Sequence, residues 1–165
     1  MKKKNILVLG VGNLLLADEG AGIHVVNQLR KMPLAPEVEL MDGGTGGFEL
    51  IAHFRGRKKV IMIDAVKTGG KPGTVFRFKP EDICLHQDKA ISVHQFGLQE
   101  LFFFARKITP RLEIVVYGIV PEDTKQFRTE LSPAVRMGIE KMLPLLLEEI
   151  RRHGEKDDLV SEIKK

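Results

Sequence analysis

Five short apolar runs, each bounded by turn residues, alternate along this chain with longer segments of helical spacing. The runs are Ile6 to Leu9, Val38 to Met41, Val60 to Ile63, Val75 to Phe78 and Ile114 to Tyr117. The helical segments are Gly22 to Lys31, Gly47 to Phe54, Gln95 to Arg106 and Pro133 to Arg152. Short runs of this kind are typical of buried strands, and strands that alternate with helices require crossover connections. The sequence therefore predicts an α/β fold with a mostly parallel sheet that is covered on both faces.

Local signals refine this outline at one strand and one helix. Val75 to Phe78 follows Val60 to Ile63 too closely for a crossover helix, so we expect it to run antiparallel at an edge of the sheet. Ser132 before Pro133 is typical of an N-cap with proline at the first helical position. We expect Pro144 to kink this last helix or to end its first half.

The length and composition indicate one domain. A chain of 165 residues with 43% hydrophobic content suits a single well-developed core. We therefore expect one α/β domain over residues 1–154. The segment 155–165, EKDDLVSEIKK, is charged and has too little apolar surface to require burial, so we expect a mobile tail.

The charge and the cysteine content exclude several classes of protein. The net charge of +4 is spread over the chain, without the basic stripe and stacking aromatic residues that nucleic-acid binding needs. The single Cys84 excludes an internal disulfide framework and a thiolate-rich metal site, and it fits a reducing compartment.

The N-terminus superficially resembles a secretory signal peptide, because Lys2 to Lys4 precede the apolar run Ile6 to Leu16. Glycines interrupt that run, and the acidic pair Asp18 and Glu19 follows it at once, so a buried first strand is the better interpretation. No stretch approaches the roughly 18 apolar residues of a membrane span. We expect a cytoplasmic protein that does not insert into membranes.

The glycine turn Gly10 to Asn13 after the first run invites a nucleotide-binding interpretation. The third glycine of a dinucleotide fingerprint is missing, and Asp18 and Glu19 would repel a phosphate. No Gly-Lys-Ser or Gly-Lys-Thr sequence occurs in the chain. A nucleotide-binding α/β module is therefore kept only as an alternative.

Acidic residues follow three of the predicted strands: Asp18 and Glu19, Asp42, and Asp64. The C-terminal ends of parallel strands face one crevice, where ligands bind in open α/β sheets, so these carboxylates are expected to converge. Asp64 is either functional or a cap for the segment that follows, and spacing alone does not separate these roles.

Among the five histidines, His94 stands out because it lies at the entrance of the predicted helix Gln95 to Arg106. His86 is its nearest competitor, whereas His24, His53 and His153 are interpreted as surface residues. One imidazole with two carboxylates is a plausible ligand set for a divalent metal with open positions. The same groups also fit acid/base chemistry without a metal.

Six blocks of sequence, in order along most of the chain, resemble the hydrogenase maturation endopeptidases. They are GVGNLLLADEGAG (Gly10 to Gly22), DGGTGGFEL (Asp42 to Leu50), IDA (Ile63 to Ala65), SVHQFGL (Ser92 to Leu98), YGIVPE (Tyr117 to Glu122) and LSPAV (Leu131 to Val135). The first block is the most specific, because it combines a glycine-asparagine turn, an apolar run, an acidic pair and further glycines. The tail beyond Gly154 has no counterpart in this pattern.

The resemblance implies a three-layer α/β/α sandwich around a twisted five-stranded sheet. It also implies that Glu19, Asp64 and His94 bind the metal, that Asp42 is a further acidic residue beside that site, and that the glycines of residues 43–47 form a flexible substrate-side loop. Members of the family act on a precursor that already carries nickel.

Our hypothesis is therefore an endopeptidase, aspartyl-type or metal-dependent, that removes the C-terminal extension from the nickel-loaded large-subunit precursor of a nickel-iron hydrogenase. The precursor supplies the nickel, which Glu19, Asp64 and His94 recognise, and another divalent metal can substitute in vitro. Asp42 is expected to be a proton carrier or to order the glycine loop, and the protein is expected to be a monomer. A non-catalytic nickel-binding maturation factor is the first alternative, ahead of the nucleotide-binding module.

Overall fold

A computed structural model of the chain describes residues 4–83 and 93–163, with side chains for 4–82 and 100–152. The strands are β1 (Ile6–Val11), β2 (Val38–Gly44), β3 (Lys59–Ala65), β4 (Val75–Phe78) and β5 (Glu113–Ile119). The α-helices are α1 (Ala21–Leu29), α2 (Pro80–Ile83), α3 (Val93–Ile108) and α4 (Pro133–Ile163). Two 3-10 helices, Ala17–Gly20 and Phe48–Phe54, complete the described elements. All five predicted strands are confirmed; Cys84 and His86 lie outside the described residues.

The strands form one sheet in the order β2-β1-β3-β5-β4. β1 pairs in parallel with β2 and β3, and β3 pairs in parallel with β5. β4 pairs antiparallel with β5 at the edge, which confirms the prediction for Val75 to Phe78. The short link from β3 explains the reversal, because a parallel return would need a crossover of a dozen or more residues.

Alternate residues of the strands enter two separate hydrophobic cores. On one face, Val8 and Ile63 pack with residues of α1 and α4, such as Val25 and Ile139. On the other face, apolar residues of β1, β3 and β5 pack with the 3-10 helix Phe48–Phe54 and with α3. The predicted three-layer α/β/α sandwich is confirmed, and each strand contributes to both cores because its side chains alternate between faces.

The connections around β1 create a crevice at one end of the sheet. The chain leaves β1 through α1 on one face to reach β2, and it returns across the other face through the 3-10 helix Phe48–Phe54 to reach β3. β1 and β3 are neighbours, and α1, which follows β1, and α3, which precedes β5, pack on opposite faces of the sheet. Such a topological switch point is where open α/β sheets bind ligands, beyond the C-terminal ends of the strands.

The last helix begins as predicted but ends later. Ser132 caps α4, since its Oγ accepts a hydrogen bond from the backbone N–H of Val135 at 3.3 Å. The helix runs through Pro144 to Ile163, so the proline does not end it, and part of the segment 155–165 is helical. The mobility of that tail stays a prediction. Gly47 to Phe54, predicted with helical spacing, forms the 3-10 helix Phe48–Phe54.

Glu149 of α4 joins the helix to the opposite end of the sheet from the crevice. Lys59 Nζ, at the start of β3, donates to its Oε1 at 2.5 Å, and Arg77 Nε of β4 donates to its Oε2 at 2.7 Å. The Tyr117 hydroxyl donates to the same Oε2 at 3.1 Å. Burial alone would raise the pKa of Glu149, but the bonds from Arg77 and Lys59 outweigh it and lower the pKa to about 2.

We expect Glu149→Gln to lower the free energy of unfolding at neutral pH by roughly 1 to 2 kcal/mol, with allowance for solvent screening of the exposed Arg77. The folded-state pKa is lowered from 4.5 to about 2, so the difference between wild type and variant is complete above pH 4.5 and is lost as the pH falls to about 2. Urea unfolding of both proteins across this pH range measures it. A difference that stays constant down to pH 2 would contradict this assignment.

No helix in the described part of the chain is long and apolar enough to cross a membrane.

Candidate active site

A pocket of about 350 Å³ opens at the crevice between the ends of β1 and β3. Glu19 and Asp64 both line it, together with Gly12 and Asn13 from the turn after β1. Residues 45–48 after β2 and Glu100 and Leu101 of α3 form the rest of the wall, and Met62 and Leu50 contribute apolar surface. The structure therefore brings together two of the carboxylates that were predicted to converge.

The turn after β1 fixes the backbone of Glu19. Gly12 has a φ of +137°, and a Cβ there would lie 1.7 Å from the carbonyl oxygen of Glu19. The same oxygen accepts a hydrogen bond from the Asn13 N–H at 3.1 Å. Only glycine fits such a close approach in this conformation, so the glycine turn serves to hold the acidic loop. This use of the turn removes the main support for the nucleotide-binding alternative.

Glu19 lines the pocket, and its carboxylate has one basic neighbour among the side chains that the structure describes. Lys67 Nζ, on the segment after β3, lies 3.5 Å from Glu19 Oε1. The Lys67 side chain is half exposed, so solvent screens this pair and it holds Glu19 only weakly. A bound cation could therefore displace Lys67 at small cost.

Asp64 is the penultimate residue of β3 and lines the pocket at the end of that strand. Burial raises the pKa of its carboxyl to about 7, although the backbone N–H of Ala65 lowers it; the negative charge of nearby Glu19 raises it further. Two carboxyl groups whose negative charges repel each other in a partly buried pocket favour the binding of a cation. The functional interpretation of Asp64 is thus favoured over a helix cap, because no helix follows it directly.

Asp42 lies at the same end of the sheet but is exposed, and it is not among the residues that line the pocket. Its Oδ1 accepts a hydrogen bond from the backbone N–H of Gly44 at 2.8 Å. Gly44 has a φ of +53°, and this bond fixes the sharp turn there. The contact supports the loop-ordering role for Asp42, while its role as a proton carrier stays a prediction.

His94 is the second residue of α3, which places its backbone at the start of a helix whose later residue Leu101 lines the pocket. Its side chain lies outside the described residues. Among the side chains that the structure does describe, no three His, Cys, Asp or Glu residues are grouped to hold a metal ion. The described part thus contributes two of the three predicted ligands, Glu19 and Asp64.

Comparison with known proteins decides the family. The profile of the HycI family, described as hydrogenase maturation protease, matches residues 23–149. The hydrogenase 2 maturation protease of Escherichia coli K12 is 36% identical over 154 residues, which cover 90% of this chain and 92% of the relative. The chain belongs to the hydrogenase maturation proteases. It is therefore a peptide-bond hydrolase, and this agrees with the resemblance seen in the sequence.

Further relatives agree with this assignment. The hydrogenase expression/formation protein HoxM of Azotobacter vinelandii is 37% identical over 158 residues, which cover 93% of this chain and 76% of the relative. The solved structure of the hydrogenase maturating endopeptidase HybD from Escherichia coli superposes with a TM-score of 0.79 at 34% identity, over 91% of this chain and 94% of that one. The protease therefore shares the fold of HybD over nearly its whole length.

Asp18, the other member of the acidic pair, points away from the pocket of the protease and is fully buried. Its Oδ2 accepts hydrogen bonds from the backbone N–H groups of Glu122 and Asp123, both at 2.9 Å. Ser132 donates to it twice, from its N–H to Oδ1 at 2.8 Å and from its Oγ to Oδ2 at 2.9 Å. Asp18 thus ties the loop that carries Glu19 to the start of α4.

We expect Asp18→Ala to destabilise the protease by roughly 2 to 4 kcal/mol, because it leaves several buried donors of the β5–α4 loop without their acceptor. Processing activity should fall with the fraction folded and with disorder at the adjacent Glu19. Thermal and urea unfolding measure the stability. Glu122→Ala is the matched control, since the Glu122 side chain is exposed and only its backbone N–H bonds to Asp18. Equal stability of both variants would contradict the structural role of Asp18.

His24 differs from its interpretation as a surface residue. It is partly buried in α1, and its Nε2 lies 2.9 Å from the carbonyl oxygen of Thr129 in the β5–α4 loop. This contact is a second link between that loop and the start of the protease fold. His53 is exposed, as predicted.

Proposed function

We propose that this protease removes the C-terminal extension from the large-subunit precursor of a nickel-iron hydrogenase after nickel has been inserted. The observation that carries the proposal is the convergence of Glu19 and Asp64 on one pocket at the switch point of the sheet, in a chain of this family. In this proposal, the two carboxylates and His94 bind the nickel that the precursor presents, and nickel is part of the substrate.

The charge of the pocket supports cation recognition. Glu19 and Asp64 place up to two negative charges side by side, and the described counter-charge, Lys67, is half exposed and 3.5 Å away. A divalent cation would neutralise the pair, and its attraction would offset the free-energy cost of ionising the buried Asp64. Carboxylate oxygens and an imidazole nitrogen are ordinary ligands for divalent first-row metals.

Peptide hydrolysis in this pocket needs a positioned substrate and an attacking water. The precursor's own nickel, once bound, would fix the adjoining segment against the carboxylates and leave its scissile carbonyl in the pocket. Water adds to the carbonyl carbon, the C–N bond breaks, and one proton reaches the leaving amine. A carboxyl group of the site that does not bind the nickel can accept that proton and return it to the amine.

The glycine segment after β2 supplies the wall on which the substrate backbone would lie. Thr45, Gly46 and Gly47 line the pocket, and Asp42 fixes the turn that precedes them. Side chains that are small or absent leave room for an extended peptide to approach. We assign Asp42 to ordering this segment, with proton transfer as its second possible role.

The proposal includes a monomeric, cytoplasmic enzyme, in which another divalent metal can occupy the nickel position in vitro. Mass spectrometry of a nickel-loaded precursor before and after exposure to the protein tests it. The expected result is loss of one mass that corresponds to the extension, with a matching released peptide. Tight binding of nickel or of the precursor without any change in mass would instead support the non-catalytic maturation factor.

A further inference from the structure

Three phenylalanine rings form an exposed cluster on the protein surface, which we call the aromatic patch. Phe48, Phe103 and Phe104 are 56%, 59% and 43% exposed. Phe48 and Phe104 meet edge to face with ring centroids 5.0 Å apart, and the Phe103 and Phe104 centroids are 5.4 Å apart. The patch therefore joins the 3-10 helix after β2 to the outer face of α3.

The packing of the sheet does not account for these rings. The inner face of α3 is already filled by Leu101, Phe102 and Ala105, which are buried against the strands. Phe103 and Phe104 follow on the outer face, where a solvent-exposed helix normally carries polar residues. Clustered exposed aromatic rings of this kind mark surfaces that bind another molecule.

The patch is continuous with the candidate active site. Phe48 belongs to the patch and also lines the pocket, and Leu101 of α3, two residues before Phe103, lines the same pocket. A polypeptide that leaves the pocket past Phe48 would meet Phe104 and Phe103 next.

We propose that the aromatic patch binds apolar side chains of the protein substrate beside the segment that enters the pocket. The inference rests on the proposed function and extends it, because it assigns a recognition surface outside the nickel site. Phe104 already contacts both of the other rings, so little conformational entropy is lost when an apolar partner covers them. Covering them also removes apolar surface from water, and this contributes affinity that does not depend on nickel.

Phe103→Ser and Phe104→Ser, singly and together, test the proposal without replacing a residue that lines the pocket. Phe127→Ser is the matched control, because Phe127 is 85% exposed but is not part of the patch. Binding of nickel-loaded precursor is measured with immobilised protease, and processing is followed by mass at limiting and at saturating precursor. Unfolding curves check that each variant is folded.

We expect the double variant to raise Kd and KM by roughly tenfold or more, in line with buried aromatic contacts at interfaces. The cleavage rate at saturating precursor should stay near the wild-type value, and Phe127→Ser should behave as wild type. Unchanged Kd and KM in a folded double variant would overturn the proposal.

The same experiment separates this inference from the proposed function. If wild type binds the precursor but does not cleave it, the proposed function fails, and the loss of binding in the double variant still supports the patch. If wild type neither binds nor cleaves it, both fail. If wild type sediments as a dimer and the double variant sediments as a monomer, the patch is a self-association surface, and the substrate proposal is overturned.

Discussion

Asp64→Ala, Glu19→Ala and His94→Ala are each expected to stop processing of the nickel-loaded precursor while the protein stays folded. Glu19 and Asp64 share the pocket, so removal of either leaves a single carboxylate for the cation and for proton transfer. We expect the rate to fall by roughly 10²- to 10⁴-fold or more. Mass spectrometry of the precursor over time, with unfolding curves for each variant, measures both effects.

Stability provides the internal check on this prediction. Asp64 is held where burial disfavours its charge, so its replacement should leave the melting temperature unchanged or raise it. Asp64→Asn keeps the shape and removes the charge, and it should be as inactive as Asp64→Ala if charge is what matters. Loss of activity in Asp64→Ala alone would point to packing instead of charge.

Histidine variants complete the test of the ligand assignment. His53→Ala and His153→Ala should process the precursor as wild type does, because we assign neither residue to the site. His94→Ala should be inactive. Full processing by His94→Ala together with loss in His86→Ala would show that His86 is the imidazole ligand.

The strands could be predicted from sequence because their signal is local. Each apolar run between turn residues had to be buried, and the short distance from β3 to β4 was enough to predict the antiparallel edge. The convergence of Glu19 and Asp64 followed from the same topology. Glu19 follows β1 and Asp64 lies at the end of β3, and the two parallel strands end on the same side of the sheet.

The roles of Asp18 and Pro144 depend on contacts that are remote in sequence. Asp18 and Glu19 are neighbours, yet a 3-10 helix turns one toward Ser132, 114 residues away, and the other toward the pocket. Pro144 stays within α4 because Leu146 and Ile150 beyond it pack in the core, and tertiary packing outweighs the local cost of proline. Neither outcome has a signal in the nearby sequence.

The aromatic patch could not be predicted from the local sequence either. The run from Leu101 to Phe104 is apolar throughout, so its composition does not indicate which side chains face the sheet. The structure buries Leu101 and Phe102 and leaves Phe103 and Phe104 exposed beside Phe48. The contact of Phe48 with Phe104 joins residues from different elements, and only the folded chain reveals it.

Processing is expected to require nickel in the precursor: the nickel-loaded form should be cleaved, and the nickel-free form should stay intact even at high enzyme concentration. The motivation is the donor set. Resting catalytic metal sites usually hold their ion with several tight ligands, often histidines, whereas Glu19, Asp64 and His94 would offer one nitrogen and two hard oxygen donors.

Such a set would hold nickel poorly alone, particularly with Lys67 already 3.5 Å from Glu19. The three residues could instead complete the coordination of nickel that is already bound to thiolates of the substrate. The metal and the scissile segment would then bind together. Coupling of this kind is reciprocal, so the precursor's affinity for the protease should fall when nickel is removed.

Precursor purified with and without nickel, mixed with the protease and followed by the mass of the large subunit, tests this dependence. Nickel restored to the empty precursor before mixing should restore cleavage, which serves as the control for a damaged substrate. Binding of the nickel-free form should weaken by less than cleavage does, because the aromatic patch contributes contacts that do not involve the metal. Removal of the extension from both forms at comparable rates would overturn recognition through nickel and leave the peptidase assignment standing, since the carboxylates would then act on the peptide bond directly.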